Sequence, residues 1–145
     1  MAIDNREAIL VRLLETLKVD GVRTTHRNVA SVPESDLPAA VVLDGDEFAD
    51  ELPPGRGAAS LRVMNLQPEI YILARTKTET VGTELNAFRR KLIKAVFADA
   101  TLVALCKDSE ISFDGMETSL ATGRSMLGEA RLNFTFRYVL KPHKL

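Results

Sequence analysis

The stretch ARLNFTFRYVL, residues 130–140, decides the fold of this chain. Apolar side chains occupy every second position, at Ala130, Leu132, Phe134, Phe136, Tyr138 and Leu140. The positions between them carry Arg131, Asn133, Thr135 and Arg137, with Val139 as the one apolar exception. A period of two over this length predicts a β-strand with one buried and one polar face, because a helix would scatter the apolar positions around its axis.

The segments before this strand predict two helices, a short strand and a loop. The best helix spans Thr78–Ala98, since an apolar stripe recurs at helical spacing at Val81, Leu85, Phe88, Leu92 and Val96. A short helix over Asp99–Cys106 follows, with Asp99 as its cap. Ile111–Gly115 is predicted as a short strand that ends in a turn. Gly115–Glu129 is polar and glycine-punctuated, which predicts a long loop.

The first half of the chain supplies one more helix and three strands. The helix is predicted over Arg6–Lys18, capped by Asp4 or Asn5. The strands are a polar edge strand in Val22–Ala30, a buried strand over Pro38–Asp44 and a strand over Leu61–Arg75. Pro68 interrupts the last of these, so it requires an edge, a bulge or a strand start there. Asp44–Leu61 is the least regular section and predicts a mobile loop or a hairpin arm.

This order of elements predicts an α/β (α+β) fold. Helices and strands are interspersed, and several strands follow one another without a helix between them, which favours a mixed, mainly antiparallel sheet. The 145 residues fit a single two-layer domain over 1–145, with the sheet packed against helices and a long protruding loop or hairpin.

Composition excludes several classes of function. The formal net charge of −1 provides no basic field for unspecific binding to nucleic acid. Cys106 is the only cysteine, which fits a reducing cytoplasm, and its apolar surroundings predict a buried hydrophobic residue. The sequence shows no secretory signal and no apolar run of about 20 residues, so no membrane span is expected.

The sequence contains no recognisable catalytic motif, and we predict a protein without enzymatic activity. Neither histidine has a zinc-ligand partner at suitable spacing, and His26 is predicted as an ordinary strand residue. Asp44–Glu47 is predicted as a solvated acidic loop without a cofactor, although its carboxylates leave Mg²⁺ open. The basic cluster Arg89–Lys91 with Lys94 predicts a solvated helix face, with phosphate contact as the alternative. Arg124 lies between glycines and fits an exposed turn or an interface equally well.

The chain resembles phage tail terminator proteins of the lambda minor tail protein U type. Four collinear features carry this resemblance over nearly the whole chain. They are the helix at 9–15 followed by Arg27-Asn28, the segment PAAVVLDGDE at 38–47, PEIYIL at 68–73 followed by ELNAFR at 84–89, and LATGRSM at 120–126 followed by the strand at 129–140. None of the four is a catalytic signature.

The resemblance implies a structural virion protein that forms a hexameric ring of identical subunits on the end of the tail tube. The ring stops tube polymerisation and provides the surface for head joining. The implied partners are further copies, the tail-tube protein and head-side connector proteins, in a virion tail assembled in the host cytoplasm. No membrane or specific nucleic-acid partner is implied, although DNA has room to pass through the ring.

A ring requires complementary surfaces on opposite flanks of each subunit. We hypothesise that Asp44, Asp46 and Glu47 on one flank meet Arg56 or Arg124 on another. The alternatives are a head–tail connector or neck subunit of similar fold, and a small cytoplasmic domain that binds a ligand under the 44–61 loop. An enzyme that uses Cys106 or the Asp44 cluster is the least favoured.

Overall fold

Helices and strands follow one another in the order that the sequence predicts, which is α, β, β, β, α, α, β, β. The computed structural model describes residues 4–51, 61–76, 79–121, 126–142 and 145. Its helices are α1 (Asn5–Thr16), α2 (Val81–Ala98) and α3 (Ala100–Ala104). Its strands are β1 (Thr24–Arg27), β2 (Ala39–Ala49), β3 (Arg62–Thr76), β4 (Ile111–Ala121) and β5 (Met126–Leu140).

The strands form one sheet in the order β1-β2-β3-β5-β4. β1 pairs with β2 in parallel, and the other neighbouring strands pair antiparallel. β2 and β3 form one long hairpin and β4 and β5 another, with residues 52–60 and 122–125 outside the described part of each. The predicted α+β fold with a mixed, mainly antiparallel sheet is confirmed.

The core lies between the sheet and the helices, on the face that the alternation in β5 predicts. Every second residue of β5 from Ala130 to Tyr138 is buried. All five apolar residues of the predicted α2 stripe are also buried. We call the sheet face that α1 and α2 cover the helix face. The opposite face, which carries Asn65, Tyr71, Glu129, Arg131 and Arg137, is called the open face.

A glycine on the helix face lets α2 approach β5 closely. A Cβ atom on Gly128 would lie 2.5 Å from Cγ2 of Val81 and 3.0 Å from Cδ1 of Leu85. At 2.5 Å the Val81 methyl group would have to shift, so glycine at this point lets the first turns of α2 pack closely on β5.

A β-bulge in β2 accommodates the proline of β3, which is one of the three alternatives that the sequence leaves open. The pairing between β2 and β3 shifts between Leu43 and Asp46, opposite Pro68. Gly45 lies within the bulge and has a φ angle of +71°, which favours glycine. The expected interruption of the strand at Gln67-Pro68 is wrong, because β3 runs without a break from Arg62 to Thr76.

Two predicted loops are strands in the structure. β2 continues through Ala49, so the acidic residues Asp44, Asp46 and Glu47 belong to a strand rather than a loop. β4 continues through Ala121, and β5 begins at Met126, so most of the loop predicted over 115–129 is a hairpin. The sequence of β4 has no clear apolar alternation of its own. It forms a strand because it pairs along its length with β5, whose alternation is strong.

The helix starts follow the predicted capping chemistry. Asp4 caps α1, where its Oδ1 atom accepts hydrogen bonds from the backbone N–H groups of Arg6 and Glu7 at 3.0 and 3.4 Å. Asp99 caps α3 by accepting from the backbone N–H of Leu102 at 3.0 Å. Within the described residues, none of the helices has the length and apolar character needed to cross a lipid bilayer.

Candidate functional site

The three acidic residues of β2 lie on two different faces of the sheet. In a regular strand, residues 44 and 46 would share a face and residue 47 would lie on the other. The bulge at Gly45 adds one residue, and this changes the alternation. Asp44 and Glu47 therefore reach side chains on the helix side, whereas Asp46 is exposed beside Gln67 on the open face.

Asp44 is bound by an arginine of its own chain. Arg27 on β1 donates from Nε and Nη2 to the two carboxylate oxygens of Asp44 at 2.8 and 3.0 Å. The same guanidinium donates to Glu7 on α1 at 2.8 and 2.9 Å. Hydrogen bonds from Arg27 are the main cause that lowers the pKa of both carboxyl groups. This triad joins α1, β1 and β2 at one end of the sheet.

Replacing Arg27 with glutamine is expected to lower the free energy of unfolding at pH 7 by about 1–2 kcal/mol, after allowance for solvent screening. Because the folded-state pKa values of Glu7 and Asp44 are lowered, their stabilising contribution is complete above the ordinary values of 4.5 and 3.8. It is lost as pH falls through the lowered values. Urea unfolding between pH 7 and pH 3 should therefore show a smaller loss on acidification for the variant than for the wild-type protein.

Arg23→Gln is the matched control for that experiment, since Arg23 is exposed and only its backbone N–H makes a hydrogen bond. It should unfold like the wild-type protein at each pH. An acid dependence that is the same in Arg27→Gln and the wild-type protein would show that the triad does not contribute to the pH dependence of stability.

Glu47 is bound by two groups of its own chain. The hydroxyl of Tyr138 donates to its Oε2 atom at 2.6 Å, and Nη1 of Arg6 lies 3.3 Å from the same oxygen. Burial, followed by the hydrogen bond to Glu47, raises the pKa of Tyr138, so the tyrosine remains a hydrogen-bond donor. Arg6 also donates to the carbonyl of Gly45 at 3.3 Å, which ties the start of α1 to the bulge.

Asp46 is thus the one of the three predicted acidic interface residues that has no hydrogen-bond or ion-pair partner in the described part of the chain. Asp44 and Glu47 are paired within the subunit, Asp44 with Arg27 and Glu47 with Arg6. Among the described residues, no three His, Cys, Asp or Glu side chains come together as metal ligands. The structure therefore separates the acidic residues that the sequence analysis grouped as a possible Mg²⁺ site.

The open face carries a row of ion pairs around Arg131 of β5. Nη2 of Arg131 lies 2.5 Å from Oε2 of Glu117 on β4, and Nη1 lies 3.5 Å from Oε1 of Glu69 on β3. The hydroxyl of Tyr71 donates to Glu69 at 3.2 Å. One arginine thus stands between two carboxylates on two different strands, so this group carries a net negative charge.

A second group of the same kind surrounds Arg137 of β5. Nη2 of Arg137 lies 2.6 Å from Oδ2 of Asp50, and its Nη1 contacts Glu110. Asn65 donates to the other oxygen of Asp50 at 2.7 Å. Hydrogen bonds from Asn65 and then from Arg137 lower the pKa of Asp50. The open face is therefore acidic at both groups, and paired side chains hold it in a defined arrangement.

An exposed apolar group lies on the open face at the end where β2 finishes and β3 begins. Phe48 of β2 and Leu61 before β3 are each 53% exposed. Val63 and Val139 are paired across β3 and β5 on the same face and are half-buried. An exposed apolar group beside a polar surface is typical of a protein-contact site.

The basic cluster on α2 divides into engaged and free side chains. Arg89 lies over the ring of Phe113, with its Cζ atom 5.5 Å from the ring centroid. Lys91 donates to the carbonyl of Asp20 at 3.1 Å. Arg90 and Lys94 are exposed, and neither has a hydrogen-bond or ion-pair partner within the described residues.

Cys106 and His26 have the structural roles that the sequence predicts. Cys106 is 7% exposed, and burial raises the pKa of its thiol to about 11, so it stays protonated at neutral pH. His26 is half-buried on β1, where its Nε2 atom lies 3.0 Å from Thr24 Oγ1 and 3.8 Å from Asp36 Oδ2.

Arg56 and Arg124, the basic half of the predicted interface, lie outside the described residues.

The ion pairs of the open face were not predicted from the sequence. The polar positions of β5, Arg131 and Arg137, were visible as one face of the alternation. Their partners come from segments 14 to 87 residues away, which no local pattern connects.

Comparison of the chain with known protein families gives no family match, and comparison with curated proteins gives no match either. The arrangement itself is that of a contact surface. One sheet face is covered by helices, and the other presents ordered charged groups with an exposed apolar group at its end. Such a surface is suited to binding another protein.

Proposed function

We propose that this protein is a ring-forming subunit that ends a phage tail tube, stops tube polymerisation and provides the surface for head joining. The observation that carries the proposal is the open face, a sheet surface of ordered ion pairs that none of the α-helices α1, α2 and α3 covers. The collinear resemblance to tail terminator proteins supports the same conclusion. The role requires binding surfaces and no chemistry.

A closed ring requires that each subunit present two different surfaces that fit each other. Asp46 and the exposed Phe48 lie near one another on β2 and offer an acidic and an apolar contact on one flank. Asp44 and Glu47 support this flank from behind, since they fix β2 to α1 through Arg27 and Arg6. In this proposal Asp46 is the acidic interface residue, and the basic partner is Arg56 or Arg124 of the neighbouring subunit.

The partners in this proposal are further copies of the chain, the tail-tube protein on one side of the ring and head-side connector proteins on the other. The subunit is made in the host cytoplasm and ends in the virion tail. Ordering of contact segments on binding has an entropic cost, so free subunits should associate only at high concentration, and the tube end should lower the concentration that assembly requires.

Deletion of the gene from the element that encodes it is expected to give overlong tubes that do not join heads, because nothing stops tube growth. Tail lengths measured by negative-stain electron microscopy test this. A copy of the wild-type gene supplied in trans is the control and should restore the normal length. Tails of normal length without heads would indicate a connector or neck subunit instead. Intact infectious particles would contradict both roles and favour a ligand-binding domain.

A further inference from the structure

Glu129 of the open face, like the exposed Asp46, has no hydrogen-bond or ion-pair partner among the described residues. It lies on β5, opposite Leu73 of β3 and Ser119 of β4. The arginine two positions along the same strand, Arg131, is held between two carboxylates. Glu129 is half-buried. A half-buried carboxylate without a partner loses part of its hydration and gains nothing in return, so a cation at this point would be stabilising.

The surroundings of Glu129 indicate which kind of cation would fit beside it. A cleft of about 320 Å³ lies beside it, between the segment that leads from β1 to β2 and the open faces of β2 and β3. Apart from Glu129, its lining is largely apolar and includes Val29, Val32, Val41, Leu43, Tyr71 and Leu73. An apolar channel with one carboxylate at its side fits an aliphatic stem that ends in a positive charge, as in lysine or arginine.

The chain itself presents such side chains on its opposite layer. Arg90 and Lys94 lie one turn apart on the exposed side of α2, and like charges at this spacing destabilise a helix. Neither is neutralised by a neighbour in the described part of the chain. α2 packs against the helix face, whereas Glu129 lies on the open face, so the cations of one molecule cannot reach its own cleft.

We propose that the Glu129 cleft of one subunit receives the Arg90–Lys94 side of α2 from a second copy of this chain. The inference rests on the proposed ring, for which it names the two surfaces that meet. Because donor and acceptor lie on opposite layers, each subunit uses both at once, one toward each neighbour. This is the head-to-tail arrangement that closes a ring.

Two charge-reversed proteins test the contact. Glu129→Lys places a cation in the cleft, and the double variant R90E/K94E places acids on α2. Each variant alone should associate at least about tenfold more weakly than the wild-type protein in sedimentation velocity, because like charges then meet at every contact. An equimolar mixture should recover association, since subunits that alternate around a ring pair opposite charges at every contact.

Glu79→Lys is the control, since Glu79 is exposed just before α2 and changes charge by the same amount away from the cleft. It should associate like the wild-type protein. Urea unfolding of each variant establishes that it is folded.

Three outcomes would overturn the inference. They are wild-type protein that stays monomeric at high concentration, variants that associate as well as the wild-type protein, and a mixture that does not recover association. A wild-type monomer whose cleft takes a lysine-rich peptide in a Glu129-dependent way would assign the cleft to a different partner. If the variants associate as expected but deletion of the gene leaves tails normal, the tail role is wrong. The contact between two copies would still be supported.

Discussion

Replacing Gly45 with alanine is expected to lower the free energy of unfolding by about 2–4 kcal/mol. Gly45 has a φ angle of +71°, and a Cβ atom there would lie 2.1 Å from the carbonyl oxygen of Gln67. The next nearest atoms, at 2.9 Å, are also backbone atoms, including Cα of Pro68. Backbone in the middle of a hairpin cannot move aside as a flexible side chain could, so the bulge itself would have to change.

Gly82→Ala is the matched control for this substitution. Gly82 lies in the first turn of α2, and a Cβ atom there would have no neighbour within 4 Å. Alanine is favoured over glycine in a helix by about 0.5–1 kcal/mol, so this variant should be as stable as the wild-type protein or slightly more stable. Urea unfolding of the three proteins gives the comparison. If Gly45→Ala unfolds within about 0.5 kcal/mol of the wild-type protein, β2 can pass Pro68 without the bulge.

The bulge also explains why the acidic segment could not be interpreted from sequence. Asp44, Asp46 and Glu47 form a compact acidic group in the sequence, and a solvated loop is the simplest interpretation. The structure places Asp44 and Glu47 on one face and Asp46 on the other, because one extra residue changes the alternation of β2. The sequence contained both components, Gly45 and Pro68, but they belong to different strands, and only the pairing register brings them opposite each other.

Segments with a strong internal pattern were predicted well. β5 and α2 bury the residues that their periods indicate, because burial of one face is what stabilises each element. β4 was predicted too short because Glu117, Thr118 and Ser119 have little strand character of their own. Pairing with β5 and the ion pair from Glu117 to Arg131 stabilise them in the strand. Such support from a neighbouring strand cannot be read from a local window.

The near-zero net charge conceals a separation of charge between the layers. The open face has arginines that are each held between two carboxylates, together with Glu129 and Asp46, which have no partner in the part of the chain that the structure describes. The exposed side of α2 carries Arg90 and Lys94. Composition alone argues only against unspecific binding to nucleic acid. The arrangement in space favours contact between the opposite layers of two copies, which the total charge cannot indicate.

Replacing Phe136 with alanine is expected to lower the free energy of unfolding by about 3–5 kcal/mol. Phe136 is fully buried on the helix face, where it pairs with Leu66 of β3 and with Ile111 of β4. Its ring centroid lies 6.0 Å from that of Phe134. Truncation removes the apolar contacts and leaves a cavity under the sheet. The cavity cannot close, because β5 is paired with β3 on one side and with β4 on the other.

Phe48→Ala is the matched control, because it removes the same ring from a position that is 53% exposed. It should change the free energy of unfolding by no more than about 0.5 kcal/mol, as measured by urea unfolding. It should nevertheless weaken association if the exposed end of the open face contacts a neighbour. The two substitutions thus distinguish the roles of the two faces of the sheet. Loss of a ring from the helix face should reduce stability, and loss of a ring from the open face should reduce binding. Equal destabilisation by both would contradict this division and would mean that the open face is packed in solution.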